Sequence, residues 1–144
     1  MARNGPAHHR ETRRQMKRLY QVPDDFEAVI RIYSHEEGGR QTPPFNGLRW
    51  DFGYGDDPPG SPIYVIWPDF FDEDGDSLPT DTPLSVGLEL RARMTVLSDE
   101  TRAEVHRRRI KEGVKFFCHE GSKRVAEGHV TRITGLFRER HQRQ

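Results

Sequence analysis

The sequence lacks the features that cross-link a chain or anchor it in a membrane. It contains one cysteine among 144 residues, so no disulfide can form within the chain, which fits a reducing cytoplasm. No apolar run approaches the roughly 20 residues that a membrane-spanning helix requires. No apolar segment follows the charged N-terminus as in a signal peptide. We therefore expect a cytoplasmic protein with no membrane among its partners.

The motifs of nucleotide and metal chemistry are also missing. No G-x-x-x-x-G-K-[ST] loop is present to cradle phosphates, so we expect no bound nucleotide. His35-Glu36 and His119-Glu120 begin like the zinc motif H-E-x-x-H, but Gly39 and Lys123 stand where the second histidine belongs. The sequence therefore predicts neither a resident metal nor another cofactor.

An acidic stretch comes nearest to a calcium site. Asp72, Asp74 and Asp76 are spaced like the first three ligands of a calcium-binding loop. Ser77 then replaces the required glycine, and Pro83 stands in place of the bidentate glutamate. We interpret this stretch as a solvated acidic loop.

Nucleophilic catalysis would have to use Cys118 and its neighbour His119. Adjacent residues of a strand face opposite sides, so the two side chains are poorly placed to form a hydrogen-bonded pair. Cys118 shares the side of Val114 and Phe116, which is typical of an inert core thiol. We therefore expect that the protein is not an enzyme.

The formal net charge is zero, but the charges are segregated along the chain. Residues 1–20 contain six Lys/Arg and one Glu, whereas residues 51–81 contain nine Asp/Glu and no Lys or Arg. Residues 82–144 contain 14 Lys/Arg and eight Asp/Glu. This distribution predicts one acidic and one basic face.

Short alternating or apolar runs separated by turn residues predict a small antiparallel barrel. Strands are predicted over residues 26–33, 48–54, 63–67, 84–97, 114–119 and 123–133. One short helix is predicted over residues 100–109, with Ser98-Asp99 as its N-cap. The barrel domain is expected over residues 23–137, between a helical or disordered basic arm, 1–22, and a basic tail, 138–144.

The loop between the first two predicted strands is rich in turn residues. Gly38-Gly39 can turn the chain with positive φ angles, and Pro43-Pro44 fixes an extended path without backbone donors. By composition alone this loop is a connector between two barrel strands.

Around this loop the chain runs through a strand, then Glu36-Glu37-Gly38-Gly39-Arg40, a Thr-Pro pair, Phe45, Gly47 and an aromatic strand. This order resembles the start of the third, C-terminal domain of translation elongation factor Tu. The resemblance returns in 112–121 and 123–128, which are similar to the closing hairpin of that family. The resemblance covers about residues 26–135 and implies a six-stranded antiparallel β-barrel, in agreement with the strand pattern.

In that family the domain contacts the T-stem backbone of aminoacyl-tRNA. The resemblance implies that Arg40, Glu120 and Gly121 are retained contact residues. Gln41 stands where the family has a histidine, and the position two residues beyond Arg49 is a carboxylate rather than a glutamine. These changes remove donors and add negative charge, which opposes phosphate binding.

Two functions follow from these patterns. The first is a non-catalytic protein-interaction module, whose partner would contact Phe70 and Phe71 exposed in the acidic loop. The alternative is an RNA- or tRNA-binding accessory protein of translation. Its candidate contact residues are Arg40, Gln41, Thr42, Arg49, Arg107, Arg108, Arg109, Glu120 and Gly121. No aromatic residue is interleaved with the basic clusters of the sequence, so we expect no platform for base stacking.

Overall fold

The computed structural model describes residues 15–140, and the predictions for residues 1–14 and 141–144 lie outside this part. Its strands are β1 Phe26–Ile32, β2 Trp50–Tyr54, β3 Tyr64–Phe71, β4 Glu89–Val96, β5 Lys115–Glu120 and β6 Lys123–Ile133. One helix, α1, spans residues 99–109 and is π-helical over Arg102–His106. The strands pair antiparallel in the closed order β1-β4-β3-β2-β5-β6, which confirms the predicted six-stranded barrel.

The inward-facing side chains of the strands fill the interior of the barrel. Along β1 every second residue, from Phe26 to Ile32, is buried, because successive side chains of a strand point to opposite faces. Aromatic rings occupy the centre, where Phe52 stacks on Phe116 with ring centroids 4.7 Å apart. Cys118 lies in this core, and burial raises the pKa of its thiol, as expected for a packing residue.

The third strand is longer than its sequence predicts, because it continues through Pro68. β2 pairs with β3 only as far as Ile66, opposite Trp50, whereas β4 continues alongside and pairs Pro68 with Met94. At Pro68 itself β4 is the one strand paired with β3 in the described chain, so the missing N–H of a proline can be tolerated there.

This extension corrects the prediction that Phe70 and Phe71 are exposed in an acidic loop. Both residues belong to β3, with exposures of 0% and 7%. The guanidinium groups of Arg91 and Arg93 each lie 4.6 Å from the ring centroid of Phe71 and cover it. The two phenylalanines are therefore not available as the proposed protein-binding surface.

The described part of the N-terminal arm, residues 15–22, contains neither helix nor strand and contacts β3 and β4. The Leu19 N–H donates to Asp69 at 3.1 Å, and Arg93 donates to the Lys17 carbonyl at 3.2 Å. Tyr20 stacks on Trp67 with centroids 5.1 Å apart. Asp69 and Arg93 form a buried ion pair 3.4 Å apart, and this segment covers it.

A second buried ion pair joins the first strand to α1. Arg102 Nε donates to Asp25 at 2.8 Å, and the other carboxylate oxygen of Asp25 accepts from the Val96 N–H at 2.7 Å. Arg102 also donates to the carbonyls of Gly135 and Arg138, each at 2.9 Å. One arginine thus connects the start of β1, α1 and the segment that follows β6.

The antiparallel order gives the barrel two distinct ends. The turn end contains the loops 33–49 and 72–88 and the tight turn between β5 and β6. The helix end contains the loop 55–63, α1 and residues 134–140. A strand of the length of β1, seven residues, separates the two ends by roughly 20 Å.

Removing the charge of Asp25 tests the importance of the buried pair. In Asp25→Asn the buried guanidinium of Arg102 loses its closest counter-charge and keeps only the half-exposed Asp99 at 3.7 Å, so we expect the free energy of unfolding to fall by about 3–5 kcal/mol. Urea denaturation measures this change. Glu27→Gln is the matched control, because Glu27 pairs with the exposed Arg132 at 2.8 Å and an exposed pair contributes about 0–1 kcal/mol. Equal losses in the two variants would contradict the special role of Asp25.

Candidate functional site

The nine predicted RNA-contact residues fall into two groups at opposite ends of the barrel. The turn end has Arg40, Gln41, Thr42, Arg49, Glu120 and Gly121, and the helix end has Arg107, Arg108 and Arg109. The two groups are separated by the length of the barrel and do not form one continuous surface.

Two of the three arginines at the end of α1 form hydrogen bonds or ion pairs with neighbouring segments of the protein. Arg107 donates to the Leu136 carbonyl at 2.7 Å, and Arg109 binds Asp56 and Asp57, each at 2.9 Å. The Arg109 guanidinium also lies 3.8 Å from the centroid of the Tyr54 ring. The expectation that α1 displays three arginines is therefore wrong for two of them, because these side chains fasten neighbouring segments, and only Arg108 is exposed.

At the turn end, Arg40 and Glu120 meet as a structural pair. Arg40 Nη1 donates to Glu120 Oε2 at 2.8 Å, and Trp50 Nε1 donates to the same oxygen at 3.0 Å. The loop folds tightly because Gly39 has no side chain, since a Cβ there would lie 2.5 Å from the carbonyl oxygen of Tyr33. These contacts tie loop 33–49 to the end of β5.

Gln41 and Thr42 remain exposed beside this pair. Together with Arg40 and Tyr33 they line a depression of about 170 Å³ in loop 33–49. Their polar side chains are therefore accessible to a partner, whereas Arg40 is partly occupied by Glu120.

A group of exposed cations lies next to that loop, and we call it the basic rim: Arg49, Lys123 and Arg124. The pairs Glu120↔Lys123 and His119↔Arg124 place the two β6 residues beside the end of β5. Arg49 directly precedes β2, whose first paired residue with β5 is opposite His119. Adjacent strands are about 4.8 Å apart, so the three cations share one edge of the turn end.

The basic rim has one acidic neighbour, Asp51, which follows Arg49 on the outer face of β2 and is paired with His119 across the β2–β5 ladder, but in the described chain this carboxylate is not bonded to the rim cations. Within residues 15–140, no carboxylate forms an ion pair with Arg49, Lys123 or Arg124. In the closed strand order the β5–β6 turn lies opposite the connection between β3 and β4, which contains the acidic loop. The sequence marked Arg49 but missed Lys123 and Arg124, because only the hairpin register brings them beside Arg49.

Beyond the rim, the outward-facing residues of β5 form an aromatic and basic surface. Lys115, Phe117 and His119 face outward because Phe116 and Cys118 are buried between them. Arg124 lies over the Phe117 ring, 3.7 Å from its centroid. Strand pairing thus brings an aromatic ring and an arginine together although they are separated in sequence.

His119 is the titratable group at the centre of this surface. Its ring covers the backbone of Gly53, where an added Cβ would lie 2.9 Å from His119 Nε2. Burial, together with the nearby Arg124, lowers the pKa of His119, so the neutral imidazole is favoured. A neutral ring can take part in stacking and hydrogen bonding without a desolvated charge.

The helix end holds a histidine that the sequence did not single out. His106 has 1% exposure, and its Nδ1 lies 2.6 Å from the Tyr54 hydroxyl oxygen. Its Nε2 has no hydrogen-bond partner within the described part of the chain. Burial, and secondarily the charge of Arg109, lowers the pKa of His106 to about 4. The side chain thus serves as a neutral part of the core.

This shift predicts a pH dependence of stability. The unfolded chain protonates His106 near its ordinary pKa of 6.5, whereas the folded protein resists protonation down to about pH 4. The contribution of the neutral ring is therefore complete above pH 6.5 and is lost as the pH falls towards 4. From pH 7 to pH 4 it decreases by about 3 kcal/mol.

The contribution of the neutral His106 ring to the free energy of unfolding can be isolated by comparing variants in urea titrations at each pH. His106→Gln is expected to be less stable than wild type at pH 7, and the difference should shrink by the stated amount at pH 4. His35→Gln, which changes an exposed histidine, should follow the wild-type profile. A constant difference between wild type and His106→Gln would contradict the assignment.

Three further findings are negative. Among residues 15–140, no group of three or more His, Cys, Asp or Glu side chains is arranged to bind a metal ion. In the same part of the chain, no helix combines the length and the apolar character needed to cross a membrane. No protein-family model matches the chain.

Proposed function

We propose that the protein is a non-catalytic binding module that holds RNA by its sugar–phosphate backbone at the basic rim. The observation that supports this most strongly is the grouping of Arg49, Lys123 and Arg124 without carboxylate partners in the described chain. Phosphate contacts supply most of the affinity of proteins for nucleic acids, and Lys and Arg are their principal donors.

The surroundings of the rim add to this support. Gln41 and Thr42 are exposed on the neighbouring loop, and polar side chains of this kind donate to phosphate oxygens. Glu120, the nearest carboxylate of the hairpin turn, is already bonded to Arg40 and Trp50. Its negative charge is therefore balanced before a phosphate approaches. The likeness to the third domain of elongation factor Tu favours the same end of the barrel.

Protein binding is the second candidate, on a surface other than the one first expected. Phe70 and Phe71 are buried, but Val22, Leu97 and Phe137 at the helix end are 43%, 48% and 59% exposed. Exposed apolar side chains that form one patch are typical of protein-interaction surfaces. Phe45 and Leu88, in the turn-end loops, are exposed to a similar degree. A partner at the helix end would leave the turn end accessible, so the two functions are physically compatible.

The RNA proposal can be tested by titrating labelled bulk tRNA with the full-length protein at several salt concentrations. We expect binding that weakens steeply with salt. Replacing the three rim cations together, in Arg49→Gln/Lys123→Gln/Arg124→Gln, should reduce the slope of log K against log salt by roughly 2–3, because each lost phosphate contact removes about 0.7–0.9.

A matched triple variant removes the same charge from the other end. Arg108→Gln/Lys111→Gln/Arg138→Gln changes three exposed cations outside the rim and should lower the slope much less. A larger effect of this control would move the binding surface to the helix end. Absence of binding at low salt would reject RNA as the ligand and leave the protein-binding candidate.

A further inference from the structure

We propose that the outer surface of β5 and β6 binds unpaired bases of single-stranded RNA by stacking on Phe117 and Arg124. This inference rests on the proposed RNA binding and specifies the form of RNA that the site takes. We call the surface formed by Lys115, Phe117, His119 and Arg124 the stacking wall. It begins at the basic rim, with which it shares Arg124, and continues along β5 towards the helix end.

The first step of the argument is the position of Phe117. Its neighbours Phe116 and Cys118 fill the core, so the outward direction of Phe117 follows from the strand alternation. The ring is partly exposed; its partner on β2 is Gly53, over which the side chains of His119 and Ile63 lie. An aromatic ring on the outside of a barrel is available for stacking rather than for core packing.

The second step is the partner of that ring. The Arg124 guanidinium lies 3.7 Å from the Phe117 centroid, which is the separation of stacked planar groups, and it forms no ion pair in the described chain. Its N–H donors are therefore available to base edges or phosphate oxygens. Single-stranded RNA is bound in this way, with bases on aromatic rings and on guanidinium planes.

The third step is space for a base beside the ring. Phe117, Lys115 and His129 line an open groove of about 330 Å³, a size within the range of small-ligand sites. Of the acidic groups of the groove, Glu127 is held by Arg31 at 3.6 Å and accepts from the Tyr33 hydroxyl at 2.9 Å. The other acidic residue of the groove, Glu89, lies on β4, which is separated from β6 by β1.

These features favour an unpaired strand over a duplex. In a duplex the bases are stacked on one another and their faces are not accessible, so a duplex could contact the basic rim only through its backbone. An unpaired strand could place phosphates at Lys123 and Arg49 and turn its bases onto the stacking wall. The binding should tolerate different sequences, because every base has a face that stacks.

The test compares a labelled adenine homopolymer of roughly 12 nucleotides with an RNA duplex of equal length, using the full chain and fluorescence anisotropy. Phe117→Leu should weaken single-strand binding by roughly 5- to 150-fold, which corresponds to the loss of about 1–3 kcal/mol for one stacked base. Duplex binding should not change. Phe117→Tyr keeps the ring and should retain affinity, and Phe137→Leu changes a more exposed ring, 59% accessible, at the helix end and should have no effect.

A second variant tests whether binding needs the planar guanidinium group of Arg124 or only its positive charge. Arg124→Lys keeps the positive charge but replaces the flat guanidinium, so it should weaken single-strand binding while leaving duplex binding and the salt slope nearly unchanged. Emission from 2-aminopurine placed in the single strand should change on binding to wild type and to Phe117→Tyr, and much less with Arg124→Lys. These two variants keep the test decisive even if Phe117→Leu fails to fold.

The outcomes separate this inference from the proposed function. Equal affinity for single strand and duplex, with Phe117→Leu and Arg124→Lys binding like wild type, would overturn the stacking wall and leave backbone binding at the rim intact. Binding of neither RNA form at low salt would reject the proposed function itself. A loss with Phe137→Leu equal to that with Phe117→Leu would place the stacked base at the helix end and overturn the inference.

Discussion

The structure depends on the buried ion pair between Asp25 and Arg102. A carboxylate with no exposure can be accommodated only if its charge and its hydrogen-bonding capacity are satisfied, and Arg102 and the Val96 N–H provide both. Because the same guanidinium reaches the carbonyls that follow β6, the pair fixes the start of β1, the end of β4, α1 and the C-terminal segment relative to one another. The strands form the closed barrel, and this ion pair holds together the segments at its helix end.

The division of the barrel into two ends decides which cations are available to a ligand. At the helix end, Arg102, Arg107 and Arg109 are used by carbonyls and carboxylates of neighbouring segments. At the turn end, Lys123 and Arg124 have no such partners in the described chain. A cluster of arginines in a sequence is therefore a poor guide to a binding surface until it is known which donors the fold itself uses. The same reasoning explains why a neutral protein can still present one locally positive edge.

The sequence predicts most of the strands and fails at particular residues for physical reasons. β1, β5 and β6 follow from alternation and from the turn at Gly121, which are local properties of the chain. The end of β3 was missed because Pro68 resembles a strand terminator, and only the early departure of β2 makes it acceptable. The acidic residues that follow led to the wrong expectation that Phe70 and Phe71 are exposed. Of the candidate site, Arg40, Arg49 and Glu120 came from the sequence, whereas Phe117, Lys123 and Arg124 did not.

The sequence by itself determined the antiparallel barrel, the core position of Cys118 and the short helix after β4. These follow from the period of two in a strand and from local capping, which involve only neighbouring residues. The tertiary structure decided that Phe70 and Phe71 are covered, that two arginines of α1 are bonded internally, and that Arg124 lies on Phe117. Each of these depends on the register of strands and on contacts between residues distant in sequence. Such contacts arise only when the chain closes on itself, so local patterns cannot specify them.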